Sequence, residues 1–117
     1  MLPTESRLKA KRDFQAVFSR RKSLADPLLA LYTAPGRGKT ARFGFSVGKK
    51  LGGAVRRNRV KRLLRESARQ LLPGISPDLD LIIVARVKAK DATLVELSDS
   101  LDRLLSRANA KIRPKAE

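Results

Sequence analysis

The run Leu79 to Ala85, LDLIIVA, is apolar almost without interruption. A strand of that kind is stable only inside a sheet whose faces are covered, so it predicts a central strand flanked by helices and an α/β layered fold. The rest of the chain supplies the layers. Phe14, Val17 and Phe18 recur at i, i+3 and i+4 on a first helix that has Asp13 at its start and ends in Arg20, Arg21 and Lys22. Asp26 and Pro27 read as a turn between a short strand near Ser23 to Leu24 and a longer one from Leu28 to Thr33. The loop PGRGK, Pro35 to Lys39, joins antiparallel neighbours. In Arg42 to Val47 the apolar residues Phe43, Phe45 and Val47 alternate with Gly44 and Ser46, which leaves a thin face that another element can approach closely. Gly52 and Gly53 precede the longest helix, Ala54 to about Leu72, which Pro73 and Gly74 stop. After a polar connector, Arg86 to Lys90, the leucines at 94, 97, 101, 104 and 105 stripe a last helix. Asp78 and Asp80 flank a strand start and read as turn and capping residues rather than magnesium ligands. Residues 1–117 fit one domain, folded from about residue 7 to residue 110, with an extended lead-in anchored by Leu8 and a frayed tail KIRPKAE.

Charge narrows the function. The chain of 117 residues carries 27 Lys and Arg against 11 Asp and Glu, a formal net charge of +16. The segment KKLGGAVRRNRVKRLLR holds Lys49, Lys50, Arg56, Arg57, Arg59, Lys61, Arg62 and Arg65, and no carboxylate occurs from Pro27 to Arg65. On the long helix Val60, Leu63, Leu64, Ala68 and Leu71 share one arc, while Asn58, Lys61, Arg62, Arg65 and Arg69 share the opposite one. A merely solvated helix face mixes signs to gain i,i+4 pairs, and its N-terminal end, where the macrodipole is positive, disfavours cations. Phosphates offset both penalties, and the guanidinium forks and amide of Arg57, Asn58 and Arg59 add directional hydrogen bonding. The partner expected is nucleic acid.

Absence of Cys and His removes disulfides, thiolate nucleophiles, the usual zinc ligand sets and imidazole acid–base catalysis. The glycines around Lys49 and Lys50 do not make a phosphate loop of the Walker type. The acidic residues are too scattered for a hydrolase pair, so no protein-borne catalytic residues and no protein-bound metal are expected. No helix-turn-helix or zinc-finger spacing exists to place a helix in a DNA groove, whereas aromatics on a sheet beside cations suit single-stranded RNA. By spacing alone Phe14 and Phe18 read first as core, and Tyr32 stands between core and surface. No apolar run approaches the ~20 residues that span a bilayer, and MLPTESRLKAKRD is followed by no signal-like apolar stretch, so the expected location is cytoplasmic.

Together these segments resemble a known family. FGFSVGKKLGGAVRRNRVKRLLRE, preceded by RLKAKRDFQAVF and LLALYTAP and followed by LDLIIVAR, is similar to the protein subunits of bacterial ribonuclease P from about Arg7 to Ala108. The resemblance centres on Arg57-Asn58-Arg59 opening the basic helix; Gly53, Val87 and the short PGRGK loop depart from the family pattern. It implies an α+β sandwich of order αβββαβα, with a mixed four-stranded sheet and a left-handed βαβ crossover, similar to a domain of a ribosomal protein and of elongation factor G. It implies a tRNA 5′-processing endoribonuclease in which the RNA subunit cuts and magnesium is held through RNA. Lys49, Lys50, Arg56, Arg57, Asn58, Arg59, Lys61, Arg62 and Arg65 would bind that RNA. Phe14, Phe18, Tyr32, Ser46, Lys49 and Arg86 would take the 5′ leader of precursor tRNA, in a 1:1 protein–RNA assembly. The competing class is a ribosomal or ribosome-assembly protein that binds rRNA without an enzymatic role; it should carry its charge on long basic tails, whereas here the charge sits inside the fold. An architectural DNA-binding protein should offer minor-groove arms or a dimerisation stripe, and neither is evident.

Overall fold

The computed structural model describes residues 2–36 and 39–111. Its principal elements run α1 (Lys11–Ser19), β1 (Ser23–Ala25), β2 (Leu29–Pro35), β3 (Arg42–Ser46), α2 (Ala54–Leu71), β4 (Leu79–Ala85) and α3 (Leu94–Arg107). This is the expected order αβββαβα. The strands form one four-stranded sheet in the order β1-β2-β4-β3. β2 pairs antiparallel with both β1 and β4, and β3 pairs parallel with β4. Antiparallel neighbours need only a turn, but parallel ones need a crossover, and α2 makes it.

Strand periodicity sorts the side chains to two faces. Leu29 and Leu31 of β2, Phe43 and Phe45 of β3, and Leu81, Ile83 and Ala85 of β4 pack with Val60, Leu64 and Ala68 of α2 and Leu97, Leu101, Leu104 and Leu105 of α3. On the other face Ile82 and Ala34 join Val17 of α1 and Leu8, with Phe14, Tyr32 and Val84 at the margin. β4 is therefore central and covered on both sides over most of its length, with Val84 half-open on the α1 face. The helix stripe 60, 64, 68 is buried at 0% exposure throughout, which is why α2 stays against the sheet despite its charge.

Several local expectations change. Asp80 is not a cap: it is buried, and its carboxylate accepts a two-pronged hydrogen bond from Arg42, Nε at 2.9 Å and Nη2 at 2.6 Å. Facing pairs on β3 and β4 bring them together, since Arg42 stands opposite Asp80 in the parallel register. Arg42 also reaches Asp13 of α1 at 3.7 Å. Leu8 is not the lone anchor of the lead-in, because Leu2 and Ser6 are buried as well, and the segment pairs Arg7 with Phe43 along the outer edge of β3. β2 continues to Pro35. The connector after β4 winds into a 3₁₀ turn, Val87–Asp91. Of the PGRGK loop, Arg37 and Gly38 lie outside the described residues, as does the tail from residue 112 onward.

Candidate nucleic-acid interface

α1 lays two rings on the sheet. Phe18 meets Tyr32 of β2 edge to face, ring centroids 4.8 Å apart and planes at 75°, the geometry that aromatic quadrupoles favour. Phe18 is still 38% exposed, so the pair forms a rim and not a sealed core. Phe14, one turn earlier, is half-buried, with its ring against Gly44. Beyond the helix the same face of the sheet continues uncovered: Ala30, Val84 and Ser46 stand opposite one another across β2, β4 and β3, and all three are half-buried, whereas Ile82 one pair back is fully covered. An aromatic rim thus opens onto a shallow apolar floor ending in a hydroxyl.

The cations begin where that floor ends. Two residues past Ser46 the chain enters the 3₁₀ turn Lys49–Leu51, with Lys49 and Lys50 exposed and Leu51 buried as its anchor. Gly52 takes φ 120, a conformation open to glycine, and Gly53 then starts α2 with no side chain capping its first N–H groups. The first turn of α2 holds Arg56 and Arg57 and no acid. Among the described residues, ion pairing in the stretch from Lys49 to Arg65 is limited to Arg56 with Asp91 at 3.6 Å, both well exposed. Asn58, Arg62 and Arg65 are exposed, while Arg57, Arg59 and Lys61 are half-buried. Arg59 donates through Nη2 to the carbonyl of Ala92 at 3.2 Å. The Nε of Arg57 is buried without an acceptor. The arc is consequently less uniform than helical spacing suggests: Asn58 is the most outward member of the Arg57-Asn58-Arg59 element, and its two arginines lean toward the body.

Arg86 extends β4 beyond Ala85, and its guanidinium is drawn to the carbonyl of Asp26 at 2.9 Å. No helix among the described residues is long and apolar enough to cross a membrane, and no group of three or more His, Cys, Asp or Glu side chains stands ready to hold a metal ion.

Comparison with known proteins decides the family. The Ribonuclease P family matches residues 2–109. The chain is 44% identical over 104 residues to the ribonuclease P protein component of Exiguobacterium sp., covering 89% of this chain and 90% of that one. Its identity to the component of Brevibacillus brevis is 46% over 103 residues, 87% and 82% of the two chains. The solved structure of the Staphylococcus aureus RNase P protein superposes with a TM-score of 0.81 at 36% identity, covering 90% of this chain and 96% of that one. That of Thermotoga maritima gives 0.78 at 30% identity, with 86% and 96% covered. The chain belongs to the ribonuclease P protein family.

Ribonuclease P is a tRNA-processing endoribonuclease, and members of this family are its protein component. In this ribonuclease P protein the fold brings Phe14, Phe18 and Tyr32 onto one face, with Ser46 on the same face of β3, across β4 from Tyr32's strand, and Lys49 just past it. Arg86 follows Val84 in strand parity but is held by Asp26. Arg56 and Arg59 line a separate groove with Val55, Lys90 and Asp91. Sequence reasoning passed over a further groove of about 250 Å³ on the β3 side, where Lys61 and Arg65 face Arg7 and Lys9 across Phe14 and Phe45. The i,i+4 spacing of Lys61 and Arg65 was visible; their juxtaposition with Arg7 and Lys9 depends on the lead-in pairing along β3, which no local pattern announces.

Proposed function

We propose that this chain is the protein subunit of a ribonuclease P holoenzyme, where it binds the catalytic RNA and the unpaired 5′ leader of precursor tRNA so that the mature 5′ end is released. Lys49, Lys50, Arg56, Arg57, Asn58, Arg59, Lys61, Arg62 and Arg65 engage phosphates of the catalytic RNA, and the uncapped N-terminus of α2 adds peptide N–H groups with the same preference for anions. Phe14, Phe18 and Tyr32 take the leader, with Ser46, Lys49 and Arg86 along its backbone. The assembly is a 1:1 pair of protein and RNA working in the cytoplasm. Hydrolysis falls to the RNA, and magnesium held through RNA would supply an activated water and stabilisation of the leaving oxygen, while the protein aligns substrate and screens charge.

The observation that carries this reading is the half-open Phe18–Tyr32 pair. A ring left 38% exposed offers a stacking surface, and an unpaired base supplies the contact it lacks. Stacking is worth about 1–3 kcal/mol per base. In the holoenzyme reconstituted with its catalytic RNA, Phe18→Ala should weaken binding of leader-bearing precursor roughly tenfold and leave mature tRNA nearly unaffected. Its melting temperature should fall less than for a buried ring, whose loss costs ~3–5 kcal/mol. Wild-type affinity for both RNAs in the folded variant would remove the leader contact, and parallel loss of both affinities with the fold would return Phe18 to the core.

A further inference from the structure

Register places three residues in one row across the face of the sheet that carries α1. Tyr32 stands opposite Ile82, and Ile82 stands opposite Gly44. α1 lies along that row: Phe18 is against Tyr32, Val17 shares a buried cluster with Ile82, and Phe14 sits on Gly44. The sheet residues under the helix therefore shrink from a phenol to a bare backbone, and the large ring Phe14 occupies the place where the side chain is missing.

The seat is tight. A methyl group on Gly44 would stand 2.5 Å from Cε2 and 2.6 Å from Cζ of Phe14, and 3.3 Å from Cδ1 of Leu8. Carbon atoms in contact keep about 3.5–4.0 Å, so the ring would have to withdraw by about 1 Å. The backbone of Gly44 itself needs no special freedom, since it is an ordinary strand position paired with β4. What the position requires is the absence of a side chain. A second tether acts at the same end of the helix: Asp13, next to Phe14, reaches Arg42, which is forked onto Asp80. Both constraints act on the first turns of α1. Phe18, one turn further along the same face, moves with whatever they set, because a helix of nine residues is a stiff body.

We propose that Gly44 is a positioning residue that sets the height and tilt of α1 over the sheet, and through them the opening at Phe18 and Tyr32 into which an unpaired nucleotide stacks. The geometric part stands on the Phe14–Gly44 contact, and the consequence for RNA rests on the leader-binding reading proposed above. Gly44 touches no RNA in this account; it acts through Phe14.

The chain has one Tyr and no Trp, so Tyr32 reports on the opening without any label. Its ring protons lie in the ring current of Phe18 and can be followed by NMR in the full-length free protein. Gly44→Ala should move those resonances. In the holoenzyme reconstituted with catalytic RNA it should also weaken leader-bearing precursor about tenfold while mature tRNA binds as before. In a Phe14→Leu background, which lacks the obstructing Cε2 and Cζ, adding Gly44→Ala should change neither the Tyr32 resonances nor the precursor affinity further. Unmoved Tyr32 resonances in folded Gly44→Ala would overturn the proposal. Moved resonances with unchanged precursor affinity would keep Gly44 as the gauge of α1 and overturn the leader-binding reading instead. Should Gly44→Ala fail to fold, the double variant decides: melting together with Phe14→Leu supports the proposal, and remaining unfolded refutes it.

Discussion

The carboxylate of Asp26 accepts hydrogen bonds from the backbone N–H groups of Leu28 and Leu29, each at 2.8 Å, and from the hydroxyl of Ser100 on α3. Its own carbonyl receives Arg86. Burial works against the charged form, but the hydrogen bonds from Ser100, Leu29 and Leu28 and the nearby charge of Arg103 outweigh it and hold the pKa below the ordinary 3.8. A carboxylate lowered by folding contributes stability that is complete above its unfolded value and lost as pH falls through the folded one. Asp26→Asn should therefore flatten the acid end of the stability profile, read from urea midpoints between about pH 6 and about pH 2; a slope as steep as the wild type's below pH 4 would assign the acid loss to other carboxylates. From the sequence, Asp26-Pro27 was readable as a turn, because an Asx side chain closing on N–H groups two and three residues on is a local device. Its bond to Ser100 was not, since it joins residues 74 apart in the chain. Asp80 shows the same limit: its partner Arg42 becomes apparent only once β3 and β4 are paired in register.

The two longer helices begin in opposite ways. Thr93 and Glu96 close a reciprocal capping box at the start of α3, with Glu96 N donating to Thr93 Oγ1 at 3.1 Å and Thr93 N donating to Glu96 Oε1 at 2.9 Å. α2 has Gly53 at the equivalent place, no side-chain cap and arginines in its first turn. Leaving the positive end of a helix uncapped and adding cations to it costs stability in the free protein and creates a site for phosphate. Gly53 has φ −74 and ψ 179, and a Cβ there meets nothing within 4 Å, so a side chain fits. Gly53→Asp should raise the melting temperature of the free protein, by roughly 0.5 kcal/mol of stability, and weaken binding of the catalytic RNA. Tighter or unchanged RNA binding in this variant would separate the N-terminus of α2 from the RNA interface. Periodicity marked β4 at its observed bounds and α2 to within a residue, because long stripes of buried side chains carry the signal. The 3₁₀ turn Val87–Asp91 was hidden, as a single short turn has no period to detect. The Thr-x-x-Glu pattern of α3 was present in the sequence and is legible to anyone who weighs caps beside stripes.

At the scale of the molecule, the layered α/β class followed from one doubly covered strand, whereas the placement of β3 beside β4 followed from nothing local, since parallel partners are joined through a whole helix. Spacing alone read Phe14 and Phe18 as core, and only the family resemblance set them beside Tyr32 as a rim; the β3-side groove needed the lead-in, β3 and α2 at once. That lead-in has a second effect. The sheet has two outer strands, and one of them, β1, spans three residues. The other, β3, offers a longer edge, but Arg7 pairs with Phe43 there and the N–H of Leu8 donates to the Phe43 carbonyl at 2.8 Å. Unpaired edges are where foreign strands add, and short, covered or basic edges resist it. Removing residues 1–9 takes away the buried Leu2 and Leu8 as well as the pairing on β3, so the shortened chain should melt lower and, with the β3 edge bared, scatter light and self-associate under conditions where the full chain stays monomeric. If the shortened chain stays monodisperse, charge repulsion alone suffices to keep it apart. On this expectation the segment that reads as a loose leader into the first helix also shields the β3 edge from strand addition.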